Sequence, residues 1–244
     1  MSIKFVSIIG AVLLLARAGC GQTYLLGNTD KSLAEKYNAK SVYPPLLYPN
    51  LPVMDMYASD MMCRSLNMNN KVMPYPVTAG NAVPLTFQDG VSPISGNALR
   101  GPCTFYLSNV KTKGKGWAWF PIEINPFAQE RWCTDMIKNN GNEYDVVIPE
   151  WVPSGTYYLR TEIIDLANNN VPNVQDFSRG PHFYVNCMAI TVTSTSKTSP
   201  KLYKIPGIYD NAESKFVVNV EDSATFKSYV LPGPVMNQTI ASNP

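Results

Sequence analysis

Gly155–Val192 reads GTYYLRTEIIDLANNNVPNVQDFSRGPHFYVNCMAITV. Tyr157, Leu159, Thr161 and Ile163 alternate with Tyr158, Arg160, Glu162 and Ile164, a period of two that predicts a β-strand. Phe183–Thr193 is rich in β-branched and aromatic residues and apolar on both faces in places. That pattern suits a strand buried inside a sandwich rather than a solvated edge. A polar loop separates the two runs.

Outward from this pair the same signals recur. Thr78-Ala79-Gly80-Asn81 predicts a turn, followed by alternation at Val83, Leu85 and Phe87. Cys103, Phe105 and Leu107 predict a strand after Gly101-Pro102, and Trp117–Phe120 a short aromatic one. Phe127–Asn139 predicts a helical turn around Trp132. Tyr144, Val146 and Ile148 alternate before Pro149, and Phe216, Val218 and Val220 predict a last strand over Lys215–Glu221. Thr23–Pro52 is broken by Pro44, Pro45, Pro49 and Pro52, and Thr193–Lys201 is a Ser/Thr-rich surface loop. Short strands between turn signals predict an all-β, immunoglobulin-like or fibronectin-type β-sandwich with long loops.

The chain has 244 residues, enough for one such domain with a core. Twenty basic and 18 acidic residues leave a net charge of +2, which argues against nucleic acid or an anionic membrane as partner. Residues 1–21 read as a secretory signal peptide: Lys4 gives a basic start and Phe5–Ala16 an apolar run too short to span a bilayer. Cleavage after Ala18 leaves Gly19 first; cleavage after Gly21 leaves Gln22 first. The second removes Cys20 and leaves an even four of the five cysteines, as an oxidising compartment favours. The expectation is therefore a secreted, disulfide-bonded, monomeric domain over 22–244. The C-terminus is polar, without a lipid-anchor signal, and Asn237-Gln238-Thr239 is a glycosylation sequon at Asn237.

Several spaced motifs resemble the fungal lytic polysaccharide monooxygenases of auxiliary activity family 9. The family's frame runs Arg-His-Glu-Ile-Ile, loop, Gln-Phe-Tyr, two residues, Cys. Here it reads Arg160-Thr161-Glu162-Ile163-Ile164, then His182-Phe183-Tyr184, then Cys187. Arg100-Gly101-Pro102, Trp132–Ile137, Ile205–Tyr209 and the segment Met54–Cys63 match in the same order. The resemblance implies a Cys63–Cys187 bridge, which leaves Cys103 and Cys133 to each other.

It also implies a site. Active members hold one copper ion in a histidine brace: the amine and imidazole of a first mature histidine, a second histidine shortly before the Gly-Pro, and an axial tyrosine. Three nitrogens with open positions suit copper oxygen chemistry. This sequence contains one histidine, His182. Carried over position by position, the second brace histidine falls on Leu99 and the first near Gln22. The outer-sphere histidine becomes Thr161 and its glutamine partner becomes His182. Tyr184 keeps the axial identity, and Arg160 and Glu162 are further remnants of the motif. No metal cofactor is expected on this reading; copper is expected only if an altered site remains.

Other chemistries are weaker. Glu162, Asp165, Glu123 and Asp135 are available carboxylates, but nothing in the sequence pairs them for glycoside hydrolysis. A Ser/His or Cys/His nucleophile has only His182 as base, and no Gly-x-Ser-x-Gly elbow is present. Family members lay a flat face with exposed tyrosines on polysaccharide. Among 14 tyrosines, Tyr203 and Tyr229 are the candidates for carbohydrate contact, with Tyr24, Tyr43, Tyr48 and Tyr75 also in loops or ends. The expected partner is a cell-wall polysaccharide such as cellulose or β-glucan, bound without oxidative cleavage. The alternatives are an active copper monooxygenase with an altered site and an extracellular structural or interaction protein.

Overall fold

The computed structural model describes residues 22–26, 41, 52–64, 72–89, 92–93, 99–125, 127–128, 131–170, 179–209, 213–222, 229–234, 236 and 239–240. Positions 1–21, Tyr43, Tyr48 and Asn237 lie outside them. In chain order the strands are β1 (Gln22–Leu26), β2 (Tyr75–Thr78), β3 (Ala82–Asp89), β4 (Ser92–Pro93), β5 (Cys103–Asn109), β6 (Trp117–Asn125) and β7 (Phe127–Ala128). Then come β8 (Arg131–Trp132), helix α1 (Cys133–Asn139), β9 (Glu143–Val147), β10 (Gly155–Asp165), β11 (His182–Thr193), β12 (Ser199–Pro200), β13 (Tyr203–Lys204) and β14 (Thr239–Ile240).

Two sheets face each other. The larger has the order β13-β6-β5-β10-β11-β2; in the smaller, β3 pairs with β1, β4 and β9. The chain is thus an all-β sandwich. β10 and β11 pair antiparallel over their full lengths, from Gly155↔Val192 to Asp165↔His182. The inner core lies between the sheets and gathers Val83, Leu85, Phe105, Leu159, Ile163 and Met188. The second core lies on the outer face of the large sheet, where Tyr158, Ile164, Phe183 and Val185 meet Met61 and Phe216 from covering segments. β10 and β11 are therefore buried on both faces, and the polar side chains they carry, Arg160, Thr161, Glu162, Asp165 and Asn186 among them, are buried as well.

Two disulfides clamp the layers. Cys63–Cys187 (Cα–Cα 5.3 Å) ties a covering segment to β11, and Cys103–Cys133 (5.6 Å) ties the start of β5 to α1. No helix among the described residues is long and apolar enough to cross a membrane.

Five local expectations are corrected. Tyr24, expected in a loop or at an end, lies in β1, which pairs with β3 in the smaller sheet. Lys215–Glu221 is not a strand: a 3-10 turn at Glu213–Phe216 precedes irregular chain. Phe216, Val218 and Val220 are buried nonetheless, and Asn169 supplies the hydrogen bonds a neighbouring strand would give, Val218 N donating to Asn169 O at 2.9 Å and Asn169 Nδ2 to Phe216 O at 2.9 Å. The aromatic strand runs on to Asn125, passing Pro121 with a register shift opposite Phe105 and Tyr106. Tyr75 is a buried member of β2, at 7% exposure, rather than a loop residue. The loop expected over Thr193–Lys201 contains β12, which pairs with β14.

Candidate functional site

Of the residues that the family frame singles out, Leu99, Thr161, His182 and Tyr184 lie toward one end of the large sheet, where β10 ends and β5 and β11 begin; Gln22 lies in β1 of the smaller sheet, paired with Asp89. Cross-strand partners share a face, so the register sets the neighbours: Thr161 with Asn186, Ile163 with Tyr184, and Asp165 with His182. These side chains point to the inner face, as Leu159 and Ile163 do.

Leu99 is brought to this end by a tight backbone junction. At Gly101 an added Cβ would lie 1.8 Å from the Ile164 carbonyl oxygen, so only glycine fits. Ile164 N donates to Pro102 O at 2.9 Å and Leu166 N to Arg100 O at 2.8 Å. Gly101 N donates to Thr134 Oγ1 at 3.0 Å. Leu99 is 1% exposed and belongs to the inner core with Tyr184, which is 5% exposed. Its carbonyl accepts from Lys138 Nζ at 3.1 Å.

Asp165 is the polar centre of this end. Its Oδ1 accepts from Arg100 N at 3.1 Å and Ala167 N at 3.0 Å. Burial pushes its carboxyl above the usual aspartate range, and those two amides, His182 and Lys138 pull the other way. His182 Nε2 is buried with no hydrogen-bond partner among the described residues. Arg100 reaches outward to Glu221 at 2.6 Å and Asp135 at 3.9 Å. The Glu221 contact raises the guanidinium pKa despite partial burial.

Arg160 and Glu162 do not belong to this end. They project to the outer face of β10, each with its side chain fully buried, and form an ion pair at 2.6 Å. Arg160 Nε and Nη2 donate to Met61 O at 3.0 and 2.7 Å. Glu162 Oε2 also accepts from Thr104 Oγ1 at 3.0 Å and Tyr209 Oη at 3.1 Å. Burial opposes the Arg160 charge, but the adjacent Glu162 carboxylate outweighs it and the net shift is upward. Burial, with the Glu162 charge adding to it, pushes the Tyr106 and Tyr209 phenols well above their usual value. This cluster anchors the Ser59–Met61 turn to the sheet; it is architecture rather than part of a site shared with His182 and Tyr184.

The other acids are dispersed. Glu123 accepts from the Tyr144 hydroxyl, and Asp135 lies by Arg100 on α1. The two tyrosines expected to face carbohydrate also separate. Tyr229 packs edge-on against Trp132, with ring centroids 5.6 Å apart and its hydroxyl buried. It is therefore not a platform. Tyr203 stays part-exposed on edge strand β13 under the Lys201 ammonium, 5.4 Å away.

The side chains described at this end are poor in nitrogen donors. Leu99 offers no lone pair, Thr161 is 1% exposed inside the sheet, and the chain carries one imidazole in all. Among the described residues no three of His, Cys, Asp or Glu converge on a common point. What remains is one imidazole, one carboxyl and one phenol, on the same face of β10 and β11. Sequence reading weighed Asp165 only as a hydrolase acid and overlooked Lys138. Both acquire their place from the Leu99–Pro102 junction, which joins residues more than 30 positions apart.

Comparison with known proteins gives a consistent picture. Residues 20–229 match the family Auxiliary Activity family 9 (formerly GH61). The chain is 30% identical over 206 residues to the AA9 family lytic polysaccharide monooxygenase A of Aspergillus tamarii, covering 82% of this chain and 52% of that protein. It is 29% identical over 190 residues to that of Phanerochaete carnosa, covering 76% and 70%. It spans about half the length of most of the curated relatives it matches. Among solved structures, the extended catalytic domain of H. jecorina LPMO9A superposes with a TM-score of 0.65 at 20% identity, covering 84% of this chain and 83% of that one. A cellulose-active polysaccharide monooxygenase from M. thermophila superposes at 0.64 and 18%, covering 82% and 88%. At such identities these two establish the shared fold.

Proposed function

This chain belongs to Auxiliary Activity family 9, and on that footing we propose that it is a secreted, fungal-type β-sandwich protein that binds polysaccharide surfaces without cleaving them oxidatively. The observation that carries the reading is Leu99. Where the family frame calls for an imidazole, this chain buries a leucine at 1% exposure within an apolar core. Burying apolar surface there stabilises the sandwich by about 2 kcal/mol, and the same choice removes a nitrogen from any copper site. With His182 as the one histidine, the brace is not assembled from these residues.

Polysaccharide is the partner suggested by kinship. The matched relatives are named lytic polysaccharide monooxygenases, and one structural neighbour is described as cellulose-active. The family frame survives in this chain, its fold with both bridges included, whereas the donors do not. That combination suits retention of a surface rather than of a reaction. Cleavage of the leader after Gly21 and a single domain over 22–244 form part of the proposal.

A second reading is favoured by Tyr184 and by His182. Tyr184 keeps the axial identity, and the buried His182 Nε2, two residues away, has no hydrogen-bond partner among the described residues. On that reading the protein is a copper-dependent monooxygenase with an altered site. Calorimetric copper titration of the secreted, N-terminally sequenced protein separates the two, run beside cellulose and β-glucan pull-downs. The proposal expects polymer binding and no stoichiometric tight copper. One tightly bound equivalent, with oxidised oligosaccharides released from cellulose under a reductant, would establish the second reading instead.

A further inference from the structure

The opposite end of the large sheet carries a feature that the proposed function does not use. From Ile163, beside Tyr184, to Tyr157, beside Asn109, β10 runs six residues, about 20 Å. Beyond Asn109 the β5–β6 connection reads Val110-Lys111-Thr112-Lys113-Gly114-Lys115-Gly116-Trp117. Lys111, Lys113 and Lys115 are exposed, and Trp117 is 64% exposed. Strand β13 lies alongside, with Lys204 opposite Trp117 and its ammonium 5.2 Å from the indole centroid. Lys201 lies over the part-exposed Tyr203, and Leu202 is 40% exposed.

Charge here is one-sided. Neither Cys103–Ile122 nor Val192–Tyr209 contains an acidic residue, yet together they hold six lysines of a chain whose net charge is only +2. Lys111, Lys113, Lys115 and Lys204 enter none of the ion pairs between described residues. Lysines on an edge strand have a familiar role in blocking strand-to-strand aggregation. That role accounts for β13 but not for a basic turn between two interior neighbours, nor for an indole left in water.

The turn is also held rigidly. Asn109 Oδ1 accepts from Lys111 N at 3.0 Å, and Thr112 Oγ1 from Gly114 N at 3.1 Å. Trp119 Nε1 donates to Gly114 O at 2.8 Å. At Gly114 (φ +68°) a Cβ would lie 2.8 Å from the Trp119 ring and 2.9 Å from Met62 Sδ. The lysines are thus displayed on a preorganised tip, so that little ordering entropy remains to be lost on binding.

We propose that Trp117, Tyr203 and the lysines at 111, 113, 115, 201 and 204 form a glycan-binding surface for carboxylated, uronic-acid-containing polysaccharide. For the class of polymer the proposal rests on the polysaccharide reading above. The C–H face of a pyranose ring stacks on the exposed indole, and ring carboxylates pair with the surrounding ammonium groups. An aromatic platform within a basic rim is the chemistry that grips a flexible anionic polymer along its length. Neutral glucan offers the stacking but no partner for the lysines.

The test measures binding of the full secreted chain to polygalacturonate, with cellulose, heparin and double-stranded DNA in parallel. Three proteins are compared: the native chain, Trp117→Ala, and Lys113→Glu with Lys115→Glu. Both sets of substitutions are at exposed positions, and circular dichroism checks the fold. The expected result is polygalacturonate binding at low salt that is lost in roughly 1 M salt, where the Debye length is about 3 Å. Trp117→Ala should weaken it about tenfold or more, and the double glutamate variant should abolish it, with cellulose binding unchanged by either. Absence of polygalacturonate binding while cellulose binding persists overturns this proposal and leaves the polysaccharide reading standing. Binding to polygalacturonate without any to cellulose sustains the surface and removes the neutral-glucan reading. Preference for heparin or DNA, or indifference to Trp117→Ala, overturns the uronide assignment.

Discussion

The two faces of β10 treat polar chemistry in opposite ways. On the outer face Arg160 and Glu162 are fully buried, and five hydrogen bonds tie them to Met61, Thr104, Tyr209 and each other. On the inner face, at the family's site end, Leu99 and Tyr184 lie in an apolar core and His182 Nε2 has no hydrogen-bond partner among the described residues. A buried ion pair is tolerated only where its members satisfy each other, and the outer face meets that condition nearly in full. The inner end holds Leu99 and Thr161, both buried, at positions where the family resemblance sets histidines. Polar side chains thus hold the covering segments on one face of the strand and stand beside hydrocarbon on the other.

The comparison is most exposed to failure on the outer face. Replacing both Cys63 and Cys187 by alanine opens a link between residues 124 apart and should cost about 5 kcal/mol by loop-entropy arguments. Denaturant titration reads this, and a loss under about 1 kcal/mol would mean that the covering segment is held without the bridge. Arg160→Ala leaves Glu162 buried and unpaired and should cost about 4 kcal/mol. If Arg160→Ala proved no worse than Arg160→Met, the ion pair would not be what anchors the Ser59–Met61 turn.

On the inner face the effects are smaller. Leu99→His places an imidazole in an apolar core and should lower stability by about 2 kcal/mol, without creating tight copper binding, since it supplies only one nitrogen. Stoichiometric copper in this variant would show that the inner end is one residue short of a metal site, not emptied of one. The smallest effect is at Asp165. Its folded-state pKa is raised by burial, so the contribution linked to this group is fully present below the unfolded value of about 3.9. It is lost as pH rises through the folded value. Asp165→Asn keeps an oxygen acceptor for the Arg100 and Ala167 amides and should remove that dependence. The difference in melting temperature between native and variant should shrink as pH is lowered from 7 towards 4; a difference independent of pH would place the titration elsewhere.

Much of this was legible before any coordinates. Period-two alternation locates β3, β5, β9 and β10, and β-branched and aromatic composition locates β11, because a strand's side chains alternate between its faces and a buried strand is rich in such residues. It failed at Lys215–Glu221, where Phe216, Val218 and Val220 do alternate inward. Alternation reports burial on one side of an extended chain, not the presence of a neighbouring strand, and Asn169 took the neighbour's place. Tyr229 shows the same limit, since nothing local reveals that Trp132, nearly a hundred residues away, covers its ring. The turn at Lys111–Trp117 drew no notice in the sequence, and its rigidity depends on Trp119 and Met62 closing over Gly114.

The amino-acid sequence by itself determined the layer class, the family frame and the histidine count. These depend on residue type and order along the chain, which no folding can alter. Only the tertiary structure decided that Arg160 and Glu162 turn away from His182 and Tyr184, and that Leu99 is sealed in the inner core by the junction at Gly101. It alone brings Trp117 and Lys204 together at the far end. Side-chain direction along a strand flips with every residue, and cross-strand register joins positions remote in sequence. Which polar groups meet is therefore a property of register and packing, not of spacing.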